Sequence, residues 1–164
     1  MCRGVAVKEP KYFTYIDGVD TVEEWRDEQG RRHRLNGPAR IEYGNFNDEN
    51  TVTDALFYYH GEQYDSLMDM FEQLVLNGLQ DEIPTGKYCI DALHDNGKTY
   101  HEICVNKQAQ FHNLNGYATR EYDASGRLVS RYCRYYISGV EYETEAEFQV
   151  AVDLYKANEI AELF

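Results

Sequence analysis

The chain has 164 residues and a formal net charge of −13 at pH 7. This length allows one large or two small domains with a self-sufficient hydrophobic core, so neither a disulfide framework nor a structural metal is required for folding. The negative charge disfavours direct binding to nucleic acid, because such a surface repels phosphates and attracts basic partners.

The cysteines and the N-terminal residues bear on the compartment. The four cysteines are far apart and form no Cys-x-x-Cys pair: Cys2, Cys89, Cys104 and Cys133. This is a poor disulfide framework and favours a reducing compartment. The first residues lack an apolar signal segment, and no apolar run reaches the ~18 residues of a membrane span. We therefore expect a cytoplasmic protein without membrane contact.

Two stretches of the sequence occur twice. Residues 33–43 (HRLNGPARIEY) return 79 residues later as 112–122 (HNLNGYATREY). Residues 57–64 (FYYHGEQY) return 78 residues later as 135–142 (YYISGVEY). Such self-similarity predicts that one supersecondary unit is built twice. We place the units at residues 8–79 and 84–164, either separate or merged into one pseudo-symmetric domain, with a Pro- and Gly-containing junction between them.

Each unit begins with predicted strands. Short segments rich in Tyr, Ile, Val and Thr are separated by turn dipeptides, namely Asn36-Gly37, His60-Gly61, Asn96-Gly97, Asn115-Gly116, Ser125-Gly126 and Ser138-Gly139. Asn-Gly between strand-like runs is a strong hairpin signal, because both residues tolerate a positive φ. Each unit is therefore predicted to contain an antiparallel meander.

A capped helix follows each predicted meander. Ser66 lies three residues before Asp69, and the apolar stripe that follows ends before Gly78; it consists of Leu67, Met70, Phe71, Leu74 and Val75. Thr144 and Glu147 form a full capping box before a second stripe of Phe148, Ala151, Val152 and Tyr155. We expect this second helix to reach about Leu163. The predicted fold class is α+β, with two tandem repeats, each an antiparallel β-meander followed by a helix.

The excess negative charge lies at equivalent places in the two units. Residues 62–82 hold six acids and no base, and residues 138–164 hold seven acids and one base. Acids in the first turn of a helix interact favourably with the helix dipole, so they need no partner to explain them. Capping does not explain the acids that lie outside these first turns. We predict a partner-binding surface composed of Glu62, Asp65, Asp69, Glu72, Glu141, Glu143, Glu145 and Asp153. The alternative is a solvated acidic face that only maintains solubility.

Histidine and cysteine could suggest a metal site or a catalytic base. His33 and His112 occupy equivalent places in the repeats, where an imidazole can bond turn carbonyls and brace the loop, and we expect that structural role. His94, His101, Cys104 and Cys89 invite a zinc hypothesis. On a strand, however, His101 and Cys104 point to opposite faces, so we predict no metal. We also predict no catalytic residue and no cofactor, since no phosphate-binding loop or nucleophile motif is present.

Arginines interleaved with tyrosines give a second possible binding surface. They are Arg31, Arg32, Arg34 and Arg40 in the first half and Arg120, Arg127, Arg131 and Arg134 in the second. Such a strip could be a nucleic-acid platform. Acids lie among them, including Glu28, Glu42, Glu121 and Asp123, and this mixing on strands is typical of cross-strand ion pairs. We therefore expect no direct nucleic-acid binding.

The motif His-Arg-x-x-Gly-Pro-Ala at residues 33–39, with Trp25 and Gly30 before it and residues 57–64 after it, resembles the MORN-like repeat proteins of bacteriophages. The second half departs from the pattern: Tyr117 replaces Pro38, Asn113 replaces Arg34, and Ala109 stands in the place of Gly30. The resemblance implies a repeat fold and a phage origin, but assigns no catalytic residue.

These observations favour a non-enzymatic binding protein of phage type. We expect it to occupy the basic surface of a host nucleic-acid-binding protein in the host cytoplasm, and to inhibit a defence system such as CRISPR or restriction by presenting carboxylates in place of phosphates. Two alternatives remain open. One is a structural or assembly component that oligomerises through sheet edges, for example as a homodimer. The other is a small carboxylate-dependent hydrolase with its site between the halves.

Overall fold

The computed structural model of the chain describes residues 9–46 and 49–162. The described residues form a mixed α+β structure with ten strands in three antiparallel sheets and two α-helices. The predicted α+β class is therefore confirmed. Neither described helix is long and apolar enough to cross a membrane.

The first half forms a five-stranded meander and a helix. Its strands lie side by side in chain order: β1 (Lys11–Asp17), β2 (Asp20–Arg26), β3 (Arg40–Phe46), β4 (Glu49–Tyr59) and β5 (Glu62–Tyr64). Helix α1 (Leu67–Leu76) follows and leads into a 3₁₀ turn at Gln80–Glu82.

The second half has smaller sheets and a longer helix. A three-stranded sheet consists of β6 (Cys89–Leu93), β7 (Thr99–Ile103) and β8 (Thr119–Glu121). A two-stranded sheet consists of β9 (Tyr135–Ile137) and β10 (Val140–Tyr142), which precede helix α2 (Glu145–Ala161). A turn and the 3₁₀ helix Ser130–Tyr132 lie between β8 and β9, whereas β3 and β4 form one long hairpin. The two halves thus differ in strand pairing and in helix length.

Five of the six predicted turn glycines have a positive φ as expected: Gly61, Gly97, Gly116, Gly126 and Gly139. The prediction of a hairpin at Asn36-Gly37 is wrong, because this dipeptide lies in a bend of the connection between β2 and β3 and Gly37 has no positive φ. Close packing explains the glycine instead. A Cβ at Gly37 would lie 3.2 Å from the Cβ of Ile90. Asn115-Gly116 lies in the corresponding long connection, between the paired strands β7 and β8, and does not form a tight hairpin turn.

Both helix N-termini are capped as predicted. The Ser66 hydroxyl accepts a hydrogen bond from the Asp69 N–H at 3.0 Å. Thr144 Oγ1 accepts from the Glu147 N–H, and the Glu147 carboxylate accepts from the Thr144 N–H, both at 3.2 Å. These bonds satisfy amides that a helix leaves without internal partners. Helix α2 ends at Ala161, and Leu163, the predicted end, lies outside the described residues.

Two hydrophobic cores hold these elements together. The larger core joins the inner face of α1 to strands of both halves; its buried residues are Phe57, Tyr64, Leu67, Met70, Phe71, Leu74, Ile83, Cys89, Ile103, Val105 and Ala109. The smaller core holds α2 against the β9–β10 hairpin through Ile137, Phe148 and Val152. Because only one side of α2 enters the smaller core, the opposite side of this helix stays exposed.

Candidate functional site

The predicted partner-binding residues fall into two groups. Glu62, Asp65, Asp69 and Glu72 lie on β5, on α1 and on the connection between them, and all but Asp69 are exposed. Glu141, Glu143, Glu145 and Asp153 lie on β10, on the connection that follows it and on α2, and all four are exposed. Two members of the second group, Glu141 and Glu143, line the surface groove described next.

An open groove of ≈ 790 Å³ runs between β10 and α2. Apolar and aromatic side chains form its floor: Tyr142, Ala146, Val150, Ala151 and Leu154. Three carboxylates, those of Glu141, Glu143 and Glu147, complete the lining. Of the predicted residues, the groove therefore brings together Glu141 and Glu143, and it adds Glu147. Glu145, Asp153 and the acids of the first half do not line it.

Helix α2 is apolar on two opposite sides. Phe148 and Val152 point into the smaller core. Ala146, Val150 and Leu154 recur every four residues on the other side, where Val150 is 63% and Leu154 62% exposed. A helix that only closed a core would carry polar residues on its outer side. The inner stripe was predicted from the sequence and the outer one was not, although its spacing of four is visible in the same segment.

Two of the three carboxylates at the groove, those of Glu141 and Glu147, are held by neighbouring residues. Glu141 accepts a hydrogen bond from the Tyr136 hydroxyl at 2.9 Å and lies 3.4 Å from Arg134 Nε. Burial and the hydrogen bond to Glu141 raise the pKa of Tyr136, so this hydroxyl remains a donor at neutral pH. Glu147 is fixed by the capping box. The groove therefore combines an apolar floor with two carboxylates in defined positions.

His33 and His112 brace turns, as expected, but through an unforeseen partner. Nδ1 of His33 accepts from the backbone N–H of His60 at 3.3 Å, and Nδ1 of His112 accepts from that of Ser138 at 3.0 Å. The prediction assumed turn carbonyls as partners. His60 and Ser138 both have φ of 47°, so each imidazole supports a turn residue in the left-handed region.

In the first half, the histidine that braces the turn also contacts a second histidine, which in turn contacts a carboxylate. The rings of His33 and His60 stack with centroids 4.1 Å apart, and His60 Nδ1 lies 2.7 Å from Asp27 Oδ2. Burial, and then the proximity of His60, lowers the pKa of His33 to about 4. An accepting Nδ1 must be unprotonated, so geometry and pKa agree.

This arrangement predicts a loss of stability in mild acid. The unfolded chain binds a proton at His33 with a pKa near 6.5, whereas the folded chain does so only near 4, so the free energy of unfolding should fall as the pH drops through this window. For wild type we expect the protonation of His33 to lower the free energy of unfolding by an amount on the order of 2–3 kcal/mol. The variant His33→Asn keeps a hydrogen-bond acceptor but does not titrate. Its free energy of unfolding, measured in urea, should therefore fall less between pH 7 and pH 4.5 than that of wild type. Equal losses in both proteins would contradict this role.

The residues of the zinc hypothesis have other partners. His101 Nδ1 lies 2.9 Å from Asp91 Oδ2, and His94 Nε2 lies 2.7 Å from the carbonyl oxygen of Tyr122. Cys89 and Cys104 are buried thiols, and burial together with the neighbouring Cys104 raises the pKa of Cys89 to about 12. Within residues 9–46 and 49–162, no group of three or more His, Cys, Asp or Glu could hold a metal ion.

The arginines of the first half surround one buried carboxylate. Glu24 is 0% exposed, and it accepts hydrogen bonds from Arg26 Nε at 2.8 Å and Arg32 Nε at 2.7 Å. Arg40 lies opposite Glu24 on the neighbouring strand, with its Nε 3.3 Å away. Burial raises the pKa of Glu24, but hydrogen bonds from Arg26, Arg32 and Tyr15 lower it below its usual value. The expected cross-strand ion pair is thus present at Arg40, with an acid that the sequence analysis had not singled out.

Other arginines of this set lie over aromatic rings. The guanidinium carbon of Arg34 is 3.8 Å from the ring centre of Trp25, and that of Arg120 is 3.6 Å from that of Tyr88. Arg31 pairs with Asp27 at 2.8 Å. These contacts engage the cations within the fold and do not favour the nucleic-acid platform considered above.

Comparison with known proteins gives no assignment. No protein-family model matches the chain, and no curated protein or solved structure does so. The function is therefore inferred from the chemistry of the groove between β10 and α2.

Proposed function

We propose that the chain is a non-enzymatic binding protein that holds a basic amphipathic helix of a partner in the groove between β10 and α2. The observation that carries this proposal is the combination of an exposed apolar stripe with three flanking carboxylates. A helix bound in such a groove places apolar anchors on the floor and its charged side chains at the edges.

The two parts of the groove contribute differently to binding. Burial of Val150 and Leu154 supplies affinity, at roughly 25 cal/mol for each Å² of apolar surface removed from water. The carboxylates chiefly set the orientation of the partner and speed up association, because charges at the edge of an interface act on steering and register. Acids beyond the groove, such as Glu145 and Asp153, extend the negative field.

The kind of helix that this groove would accept leads to a narrower form of the proposal. Helices that enter the grooves of nucleic acids are basic, since they approach phosphates. A protein that captures such a helix blocks its partner from nucleic acid, with carboxylates in place of phosphates. We therefore propose an inhibitor of a host nucleic-acid-binding defence protein, encoded by a phage and acting in the host cytoplasm. The resemblance to MORN-like phage proteins supports the phage origin.

We also propose that the chain contains two copies of one β-meander-plus-helix unit, at residues 8–79 and 84–164. Corresponding hydrogen bonds support this duplication. The N–H to O=C pairs of the first half are Trp25 to Ala39 (2.9 Å), His33 to Trp25 (2.9 Å) and Arg34 to Tyr58 (3.1 Å). Their counterparts are Cys104 to Ala118 (2.7 Å), His112 to Cys104 (2.9 Å) and Asn113 to Tyr136 (3.1 Å). The acids beside α1 would then form a second acidic face.

A labelled peptide tests the groove. The probe is a synthetic helix with Leu every three to four residues and Lys elsewhere, and the matched control peptide has the same composition in scrambled order. We expect fluorescence polarisation to give a Kd in the micromolar range for the helix only. Leu154→Glu should abolish binding, because it places a charge on the apolar floor. Leu76→Glu, at an exposed position of α1 outside the groove, should leave binding unchanged.

The acids are tested by neutralisation. The pair Glu141→Gln and Glu143→Gln should weaken peptide binding and reduce its salt dependence while leaving the melting temperature nearly unchanged. The matched pair Glu62→Gln and Asp65→Asn removes equal charge away from the groove and should have little effect. Equal binding of both peptides, or equal effects of both acid pairs, would contradict the proposal. The narrower form further requires that the chain displace DNA or RNA from the captured host protein.

A carboxylate-dependent hydrolase is the other activity that the acids could suggest. Such an enzyme needs one carboxyl that keeps its proton near neutral pH. Hydrogen bonds to Asp27 from His60 and Arg31 outweigh burial and hold its pKa well below the usual range, and the pKa of Glu24 is lowered as well. Neither is a proton donor at neutral pH, so neither of these two carboxyls suits the acid role in such an enzyme.

A further inference from the structure

Strand β1 is an exposed edge of the five-stranded sheet. β2 pairs with one side of it, and no described strand pairs with the other. All seven residues of β1 are exposed, including Tyr12 at 52%, Phe13 at 41% and Ile16 at 77%. Long edge strands with apolar side chains invite pairing with another chain, and proteins usually protect them with charged side chains, a proline, a bulge or short length. Within Lys11–Asp17, β1 has no proline and no bulge, and its two charged residues lie at its ends.

The backbone groups available at this edge follow from the register. A two-residue turn at Gly18 and Val19 joins β1 to β2, so Asp17 and Asp20 form a hydrogen-bonded pair and the pattern alternates from there. Tyr12, Thr14 and Ile16 therefore direct their N–H and C=O groups away from β2. The bond from the Trp25 N–H to the Ala39 carbonyl, which turns Trp25 toward β3, fits the same alternation.

The residues of β1 are complementary to the same strand in reversed direction. If two copies pair antiparallel about Thr14, then Thr14 faces Thr14 and Tyr12 faces Ile16, and the residues with outward backbone groups meet one another. Phe13 faces Tyr15 on the other side of the sheet. Lys11 faces Asp17 at both ends. Every side-chain pair is thus apolar, hydroxyl to hydroxyl, or of opposite charge, as favourable cross-strand pairs are.

We propose that β1 joins two copies of this chain into a dimer with two-fold symmetry, in which their five-stranded sheets form one continuous antiparallel sheet. A two-fold interface requires a surface that matches itself, and the register about Thr14 meets this condition in backbone hydrogen bonds, apolar pairs and charge together. Pro10 lies directly before β1 and cannot donate a hydrogen bond, which limits the pairing to this strand.

The pairing of charges identifies the occupant as a second copy of the chain. Lys11 and Asp17 are the only charged residues of β1, one near each end. A foreign strand would need an acid and a base in just this spacing, whereas a second copy supplies them by symmetry. The dimer does not use the groove between β10 and α2, so this inference is independent of the proposed function.

Thr14→Pro tests the backbone part of the interface. It removes an outward N–H without breaking a bond to β2, and edge strands tolerate proline. Thr14→Ala, which keeps the N–H, is the matched control. By sedimentation in about 0.15 M salt, where repulsion between the acidic chains is screened, we expect wild type and Thr14→Ala to dimerise and Thr14→Pro to lose at least ~100-fold in affinity. The fluorescence of Trp25, which packs 5.1 Å from Tyr12, reports whether β1 still pairs with β2.

An exchange of charges tests the register without a change of backbone. Lys11→Glu places like charges opposite each other at both ends and should weaken the dimer on the order of tenfold, as should Asp17→Lys. The double variant restores both pairs and should recover the wild-type affinity. A wild-type chain that stays monomeric at about 100 μM would overturn the proposal. So would a dimer that Thr14→Pro leaves intact, or a double variant no better than the single ones.

Discussion

Phe71→Ala should lower the free energy of unfolding by about 3–5 kcal/mol. The Phe71 side chain on α1 is 0% exposed and lies in the larger core among residues of both halves. Its truncation removes buried apolar surface and leaves a cavity that the surrounding strands fill only in part. Urea unfolding followed by circular dichroism measures the change, and the melting temperature should fall by roughly 10 °C.

Leu76→Ala is the matched control for Phe71→Ala. Leu76 lies on the same helix and is 74% exposed, so its truncation should change the free energy of unfolding by no more than about 0.5 kcal/mol. If the two variants were equally stable, α1 would not be the helix that closes the larger core.

Glu24→Gln should lower the free energy of unfolding by about 2–4 kcal/mol. The substitution keeps the size of the side chain and removes the charge that Arg26, Arg32 and Arg40 share. Removing one member of a buried ion pair costs about 3–5 kcal/mol. The expected loss is smaller here, because Arg26 and Arg32 are partly exposed and can turn to water. Unfolding in urea at pH 7 measures the difference.

Glu42→Gln is the control for the charge network. Glu42 also pairs with Arg40, but its side chain is 24% exposed, whereas that of Glu24 is fully buried. We expect a loss of about 1 kcal/mol or less. Losses of equal size in both variants would show that Glu24 acts as an ordinary surface acid.

Features that depend on neighbouring residues were predictable from the sequence. The caps at Ser66 and Thr144 and the inner stripes of both helices are confirmed, since a cap and a stripe involve residues within a few turns of one helix. The turn at His60-Gly61 is confirmed for the same reason. The Asn36-Gly37 prediction failed because Gly37 is required by contact with Ile90, more than fifty residues away.

The groove and the charge network depend on contacts between distant segments. Glu141 and Glu143 were singled out by charge alone, whereas Val150 and Leu154 become a groove floor only once α2 lies on the β9–β10 hairpin. Glu24 looks like a solvated strand residue in the sequence. The pairing of β2 with β3 places Arg40 opposite it and makes it the centre of a buried ion network.

The larger core unites residues on both sides of the Gln80–Glu82 turn. Helix α1 belongs to the first half, yet Cys89 and Ile103 of the second half share its core. A protein engineer therefore cannot treat the halves as interchangeable parts. A first half produced alone would expose the inner face of α1, and a hybrid that borrowed a foreign second half would need side chains of matching volume at both positions.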